Sequence, residues 1–163
     1  MKKLYILLLT LVSTCIFLPG CAESECPLTT ISVARFNFLD SRSHAAVTFK
    51  NGVTVTGIAI IDDTLNIDTL FNKAQDYMSI PLSYTNQTTY VMHYTETMRD
   101  TIEVTHKNIP YVSDIECGAM MFYEIEKLRY TTNALDSVTL VNPKITNEET
   151  TNFNIYYRAS DAE

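Results

Sequence analysis

Three histidines, four cysteines and nineteen acids are the side chains of this chain that could do chemistry. His44, His93 and His106 would have to supply the imidazoles of any metal site. His93 and His106 fall in neighbouring segments rich in β-formers, at 88–95 and 101–106. Pairing the apolar set Tyr90, Met92 and Tyr94 with Ile102 and Val104 sets Met92 against Val104 and sends the two imidazoles to opposite faces. No His-x-His or Cys-x-x-Cys pair offers the ligand spacing of a zinc site. Asp62, Asp63, Asn66 and Asp68 crowd one stretch but lack the order of a calcium-binding EF-hand loop, so they read as a solvated acidic turn. Glu124 and Glu126 have the spacing of a carboxylate pair, which alternating acids on the wet face of a strand also produce. No Gly-x-Ser-x-Gly elbow or phosphate loop occurs, and four glycines are few for a backbone cradle. The residues therefore predict no metal, no cofactor and no enzymatic activity.

The cysteines carry a different chemistry. The chain opens Met1-Lys2-Lys3 and then runs apolar for fifteen residues, from Leu4 to Leu18, broken only by Thr10, Ser13 and Thr14. A cationic start, a short apolar core and a small-residue cleavage site make a secretory signal. The run is shorter than the roughly 20 residues a membrane-spanning helix needs. Leu18-Pro19-Gly20-Cys21 resembles a bacterial lipobox, with leucine at −3 and a small residue at −1, although Pro19 is less usual at −2. That resemblance implies that the Cys21 thiol is alkylated by a diacylglyceryl group and that the chain is cut before it. Cys15, preceded by Val12-Ser13-Thr14, matches less well. Acyl chains at about 0.8 kcal/mol per buried methylene would hold the protein on a membrane. The expected organisation is a lipoprotein signal peptide at 1–20, a lipidated tether at 21–29 and one domain at 30–160.

Removing residues 1–20 takes away Lys2 and Lys3 and no acid, so the net charge goes from −7 to −9. That balance argues against nucleic acid and against electrostatic docking on anionic lipid, both of which need Lys/Arg clusters. Cys26 and Cys117 are then the remaining pair. In an exported chain they read first as a disulfide, with two free buried thiols as the alternative. The bond would close a loop of about 90 residues, worth up to about 4.5 kcal/mol in the chain-entropy model.

The elements that position these residues are β-strands. Ile31 and Val33 share one parity and Phe36 and Phe38 the other, which predicts a β-bulge at Ala34-Arg35. Asn51-Gly52 predicts a hairpin with a bulged loop, pairing Phe49 with Val53 and Val47 with Val55. Residues 64–71 read as an edge segment or one helical turn, and Pro81 belongs at an edge or strand end. Further strands are expected at 88–95, 101–106, 118–130, 137–141 and 152–158. No helical period of useful length appears after the apolar run. About eight short strands broken by Asn, Asp, Gly and Pro predict an all-β fold, a single antiparallel β-sandwich in preference to a closed barrel.

The layout resembles a family of small lipoproteins of unknown function from Bacteroidota. The residues that carry it are Cys21, Cys26, Ile80-Pro81-Leu82 and Cys117-Gly118. The resemblance implies export and the fold, and brings no activity. The expected function is a membrane-anchored lipoprotein of the cell envelope, a non-enzymatic structural or protein-interaction module whose partners are the membrane and envelope proteins. The alternative is a glycan- or peptide-binding lipoprotein using exposed Tyr84, Tyr94, Tyr156 and Tyr157. One recurrence remains: Asp, then Thr or Ser, then an aliphatic residue, at Asp63-Thr64-Leu65, Asp68-Thr69-Leu70, Asp100-Thr101-Ile102 and Asp136-Ser137-Val138. A turn leading into a strand explains it. It also resembles the acceptor for O-glycosylation in Bacteroidota, which would place a glycan on at least one of Thr64, Thr69, Thr101 and Ser137.

Overall fold

The structure is a computed structural model that describes residues 26, 30–49, 52–61, 64–112 and 117–158. Those residues form ten strands and no helix: β1 Val33–Asp40, β2 Val53–Ile61, β3 Thr64–Lys73, β4 Tyr77–Pro81, β5 Gln87–His93, β6 Arg99–Val112, β7 Ala119–Tyr130, β8 Leu135–Leu140, β9 Lys144–Ile145 and β10 Thr151–Tyr157. They make two sheets packed face to face, one in the order β4-β1-β10-β8, the other β3-β2-β5-β6-β7-β9. Alternation builds the core between them. Ala34, Phe36 and Phe38 of β1 are buried, as are Tyr90 and Met92 of β5 and Ile102 and Val104 of β6. Phe36 stacks on Phe153 at 4.4 Å within one sheet and meets Tyr90 of the other edge-on at 5.7 Å.

The expected sandwich is present, with ten strands instead of about eight and one parallel pair. β1 and β10 run side by side in the same direction. Parallel neighbours need a long crossover, and here all six strands of the second sheet lie between them in sequence. Of the two alternatives for residues 64–71 the edge segment is the outcome, as edge strand β3, and the strand absent from the sequence reading is β9, two residues long.

Three local expectations are corrected. The bulge lies on the partner strand, not in β1. Ser32, Ala34, Phe36 and Phe38 are all buried, so β1 alternates without a slip and Ile31 and Val33 belong to its outer parity. Arg35 pairs with Thr151 and Phe36 with Phe153, leaving Asn152 as the extra residue. Its side chain is buried and used: Oδ1 accepts from Arg35 N at 3.1 Å, and Nδ2 donates to the carbonyls of Asn142 and Lys144.

Secondly, Phe49 and Val47 do not pair with Val53 and Val55 as a hairpin at Asn51-Gly52 would require; Asn51 itself lies outside the described residues. β2 pairs with β3 and β5, while Val47 N donates to Phe38 O of the other sheet. The segment thus carries the chain from one sheet to the other. Phe49 seals that crossing, buried against Tyr157 at 4.8 Å and Phe38 at 6.0 Å, and this burial outweighs strand pairing at 46–50. Gly52 does adopt positive φ, at 74°. Thirdly, the β5–β6 register is different: Met92 faces Asp100, and Val104 faces Thr88. The parities stand, with His106 buried on the inner face and His93 on the outer.

Pro81 ends β4, an edge strand, as its missing N–H requires. Its carbonyl accepts the Tyr90 hydroxyl at 2.9 Å, which fixes the end of β4 to the opposite sheet.

Candidate functional site

A concave feature lies where the sheets meet beside the start of β1. Thr30, Ile31 and Ser32 form one wall of a cleft of about 270 Å³. Pro81, Leu82 and Tyr84 at the end of β4 form another, and Met121 and Tyr123 of β7 a third. No charged side chain lines it, so it suits a neutral group. Tyr84 stands at its rim 82% exposed, and the buried Ser32 hydroxyl has no hydrogen-bond partner.

The Tyr84 turn is held by side chains behind it. Ser83 N donates to Thr88 Oγ1 at 2.9 Å, and the Ser83 and Thr85 hydroxyls donate to Gln87 O. Asn108 Nδ2 donates to the carbonyls of Tyr84 and Thr85, at 2.6 and 3.2 Å. His106 N donates to Asn86 O.

These bonds fix the state of His106. With Nδ2 of Asn108 committed to two carbonyls, its Oδ1, 2.8 Å from His106 Nδ1, must accept. Nδ1 therefore carries the proton, and Nε2 accepts from the Thr88 hydroxyl at 2.8 Å. The imidazole meets Tyr123 edge-on at 5.1 Å. Burial holds its pKa below the ordinary 6.5, opposed by the Asn108 hydrogen bond and the charge of Glu126. His106 is thus a neutral strut behind two walls of the cleft. The sequence offered a signal for it only in its inward parity between Val104 and Asn108.

The other singled-out residues are scattered. His93 bonds Thr56 Oγ1 at 3.1 Å on the outer face of the second sheet, and His44 sits at φ 58° in the turn after β1 beside Tyr156. No three His, Cys, Asp or Glu converge among the described residues. Asp62 and Asp63 lie outside them; Asn66 and Asp68 belong to β3 instead of an acidic turn. Glu124 and Glu126 are both exposed. Of the four tyrosines expected to face solvent, only Tyr84 is well exposed. Tyr157 is fully buried, and Tyr94 donates its hydroxyl to that of Tyr157 at 3.3 Å.

Cys26 and Cys117 are bonded to each other, with Cα atoms 5.2 Å apart. Cys21 lies outside the described residues. Of the Asp-Thr/Ser-aliphatic triplets, Thr69 is exposed within edge strand β3, while Thr101 and Ser137 are half-buried. Thr64 opens β3. Asp100 does not close a local turn. It is buried and binds a distant loop, Oδ1 accepting from Thr131 Oγ1 and Asn133 N at 2.7 Å, Oδ2 from Ala134 N and Leu135 N at 2.8 and 3.0 Å. Burial alone would raise its pKa; the four donors outweigh that and hold it below the ordinary 3.8.

A family of unknown function, DUF6452, matches residues 52–157, from before β2 to the end of β10. The chain belongs to this family. The DUF6452 match takes in Cys117, the Tyr84 turn and His106, and begins after Cys26 and β1. Comparison with curated proteins and with solved structures gave no match.

Proposed function

We propose that the chain is a lipoprotein of the bacterial cell envelope, held by lipid on Cys21, whose β-sandwich is a non-enzymatic interaction module. The observation that carries this reading is the Cys26–Cys117 bond, five residues after the lipobox-like cysteine. Such a bond is at home in an oxidising compartment. Among the described residues the exposed Glu124 and Glu126 and the scattered histidines bring no catalytic constellation together. Metabolic labelling with a fatty-acid analogue tests the anchor: wild type is expected to take label and Cys21→Ser to take none. Equal labelling of the two would remove it.

A second reading is favoured by the cleft. Its neutral lining and the rim tyrosine suit one uncharged ring or side chain of a glycan or peptide. Tyr84→Ala should abolish retention on glycans or peptides that the wild-type protein binds, while its melting temperature stays the same. For O-glycosylation at Thr64, Thr69, Thr101 or Ser137, exposure favours Thr69 over Thr101 and Ser137. Glycopeptide mapping of envelope-derived protein is expected to place a sugar there, and unmodified peptides at all four positions would leave the triplets with structural roles alone.

A further inference from the structure

Nine large apolar side chains are exposed among the described residues, and they are unevenly placed. Ile31 precedes β1 and Tyr84 follows β4, both at the cleft. Ile109, Tyr111 and Val112 lie on the outer part of the β6–β7 ribbon, beyond the last β5 partner of β6 at Thr105. Leu140 and Val141 close β8, at the end where Phe153 and Thr151 begin β10 beside Arg35. The registers put all seven at one end of the sandwich. Met98 and Tyr130 lie at the other, where β6 begins and β7 ends.

The apolar end is also where the N-terminal segment arrives. Cys26 is bonded to Cys117, two residues before β7, and Thr30 lines the cleft. Only five residue steps separate Cys26 from Cys21, a reach of about 18 Å at full extension. β6 alone, with fourteen residues, spans about 48 Å. A lipid on Cys21 therefore brings the apolar end to the membrane surface and keeps an upright domain's far end well away from it.

We propose that this end docks on the surface of a zwitterionic phospholipid layer, an inference that rests on the Cys21 anchor. Tyrosine with aliphatic neighbours is the chemistry of the membrane interface. The Tyr111–Phe122 stack, with centroids 4.6 Å apart, is a rigid aromatic pair on the ribbon. The exposed charges at this end are mixed, Lys107 and Lys144 against Glu124, Glu148 and Glu149. With no cationic cluster, anionic headgroups add nothing. The acids also keep the contact shallow.

The chain has no tryptophan, so one introduced indole reports alone. Tyr84→Trp and Val112→Trp, with Met98→Trp as the far-end control, are placed by their lipid anchor on phosphatidylcholine vesicles with brominated acyl chains. The emission of the first two is expected to shift blue and to be quenched at least threefold more than the control. Equal quenching at all three positions, or none at any, would overturn the proposal. The same reporters are measured in Cys21→Ser protein held at its N-terminus to a chelating lipid by a histidine tag. Quenching there alongside a failed acylation test would retain docking and remove the anchor; acylation without selective quenching would do the reverse.

Discussion

Two buried polar residues hold much of this domain's local order, and each makes a prediction. Asp100 satisfies four donors, three of them backbone N–H groups. Each buried donor left unpaired costs about 1–3 kcal/mol. Asp100→Ala should therefore destabilise by at least about 3 kcal/mol in urea unfolding. Asp100→Asn should cost less but still destabilise, since in either orientation its amide NH₂ would face at least one N–H group that needs an acceptor. A change below about 1 kcal/mol would show that the clamp is dispensable. His106 is linked to pH with a definite sign. Its folded pKa lies below its unfolded one, so its stabilising contribution is full above about 6.5 and is lost as pH falls through the folded value. Urea midpoints measured from about pH 8 down to about pH 5 should fall in wild type and fall less in His106→Gln. An equal fall in both would assign the slope to other groups.

At the scale of elements, the disulfide and the Gly52 turn carry the most. Replacing both Cys26 and Cys117 by alanine removes up to about 4.5 kcal/mol of loop-closure stabilisation. The melting temperature should drop by on the order of 10 °C. An unchanged melting temperature would mean that the bond constrains little. At Gly52 an added Cβ would sit 3.2 Å from the Lys73 carbonyl carbon, in a conformation L side chains rarely adopt. Gly52→Val should cost about 2 kcal/mol or more. Strand positions were legible because Thr, Val, Ile, Tyr and Phe alternate cleanly, and Pro81 marked an edge by its chemistry. Register was less so. Asn51-Gly52 has a hairpin's local signature, but Phe49 finds more burial at the mouth of the sandwich than a hairpin partner would give it. The bulge lies elsewhere than the parity change between Val33 and Phe36 predicts, because Ile31 and Val33 face outward and no local pattern shows that Ile31 is exposed. Within the site, inward parity marked His106, whereas the cleft joins residues 30, 84 and 123, which are neighbours only after folding.

For the whole molecule, two sheets enclose an aromatic core, with exposed apolar groups gathered at the end where the N-terminal segment joins it. Under the proposed lipid on Cys21 that polarity would have a structural consequence, because five residue steps to Cys26 would hold the domain close to such an anchor. Intact-mass measurement of the protein extracted from its native envelope tests the proposed Cys21 anchor. The expected mass is that of a chain beginning at Cys21, less two hydrogens for the Cys26–Cys117 bond, plus a diacylglyceryl group and the acyl chain expected on the new amine, with any glycan as a separate increment. A chain beginning at any other residue, or one beginning at Cys21 with no lipid increment, would contradict it.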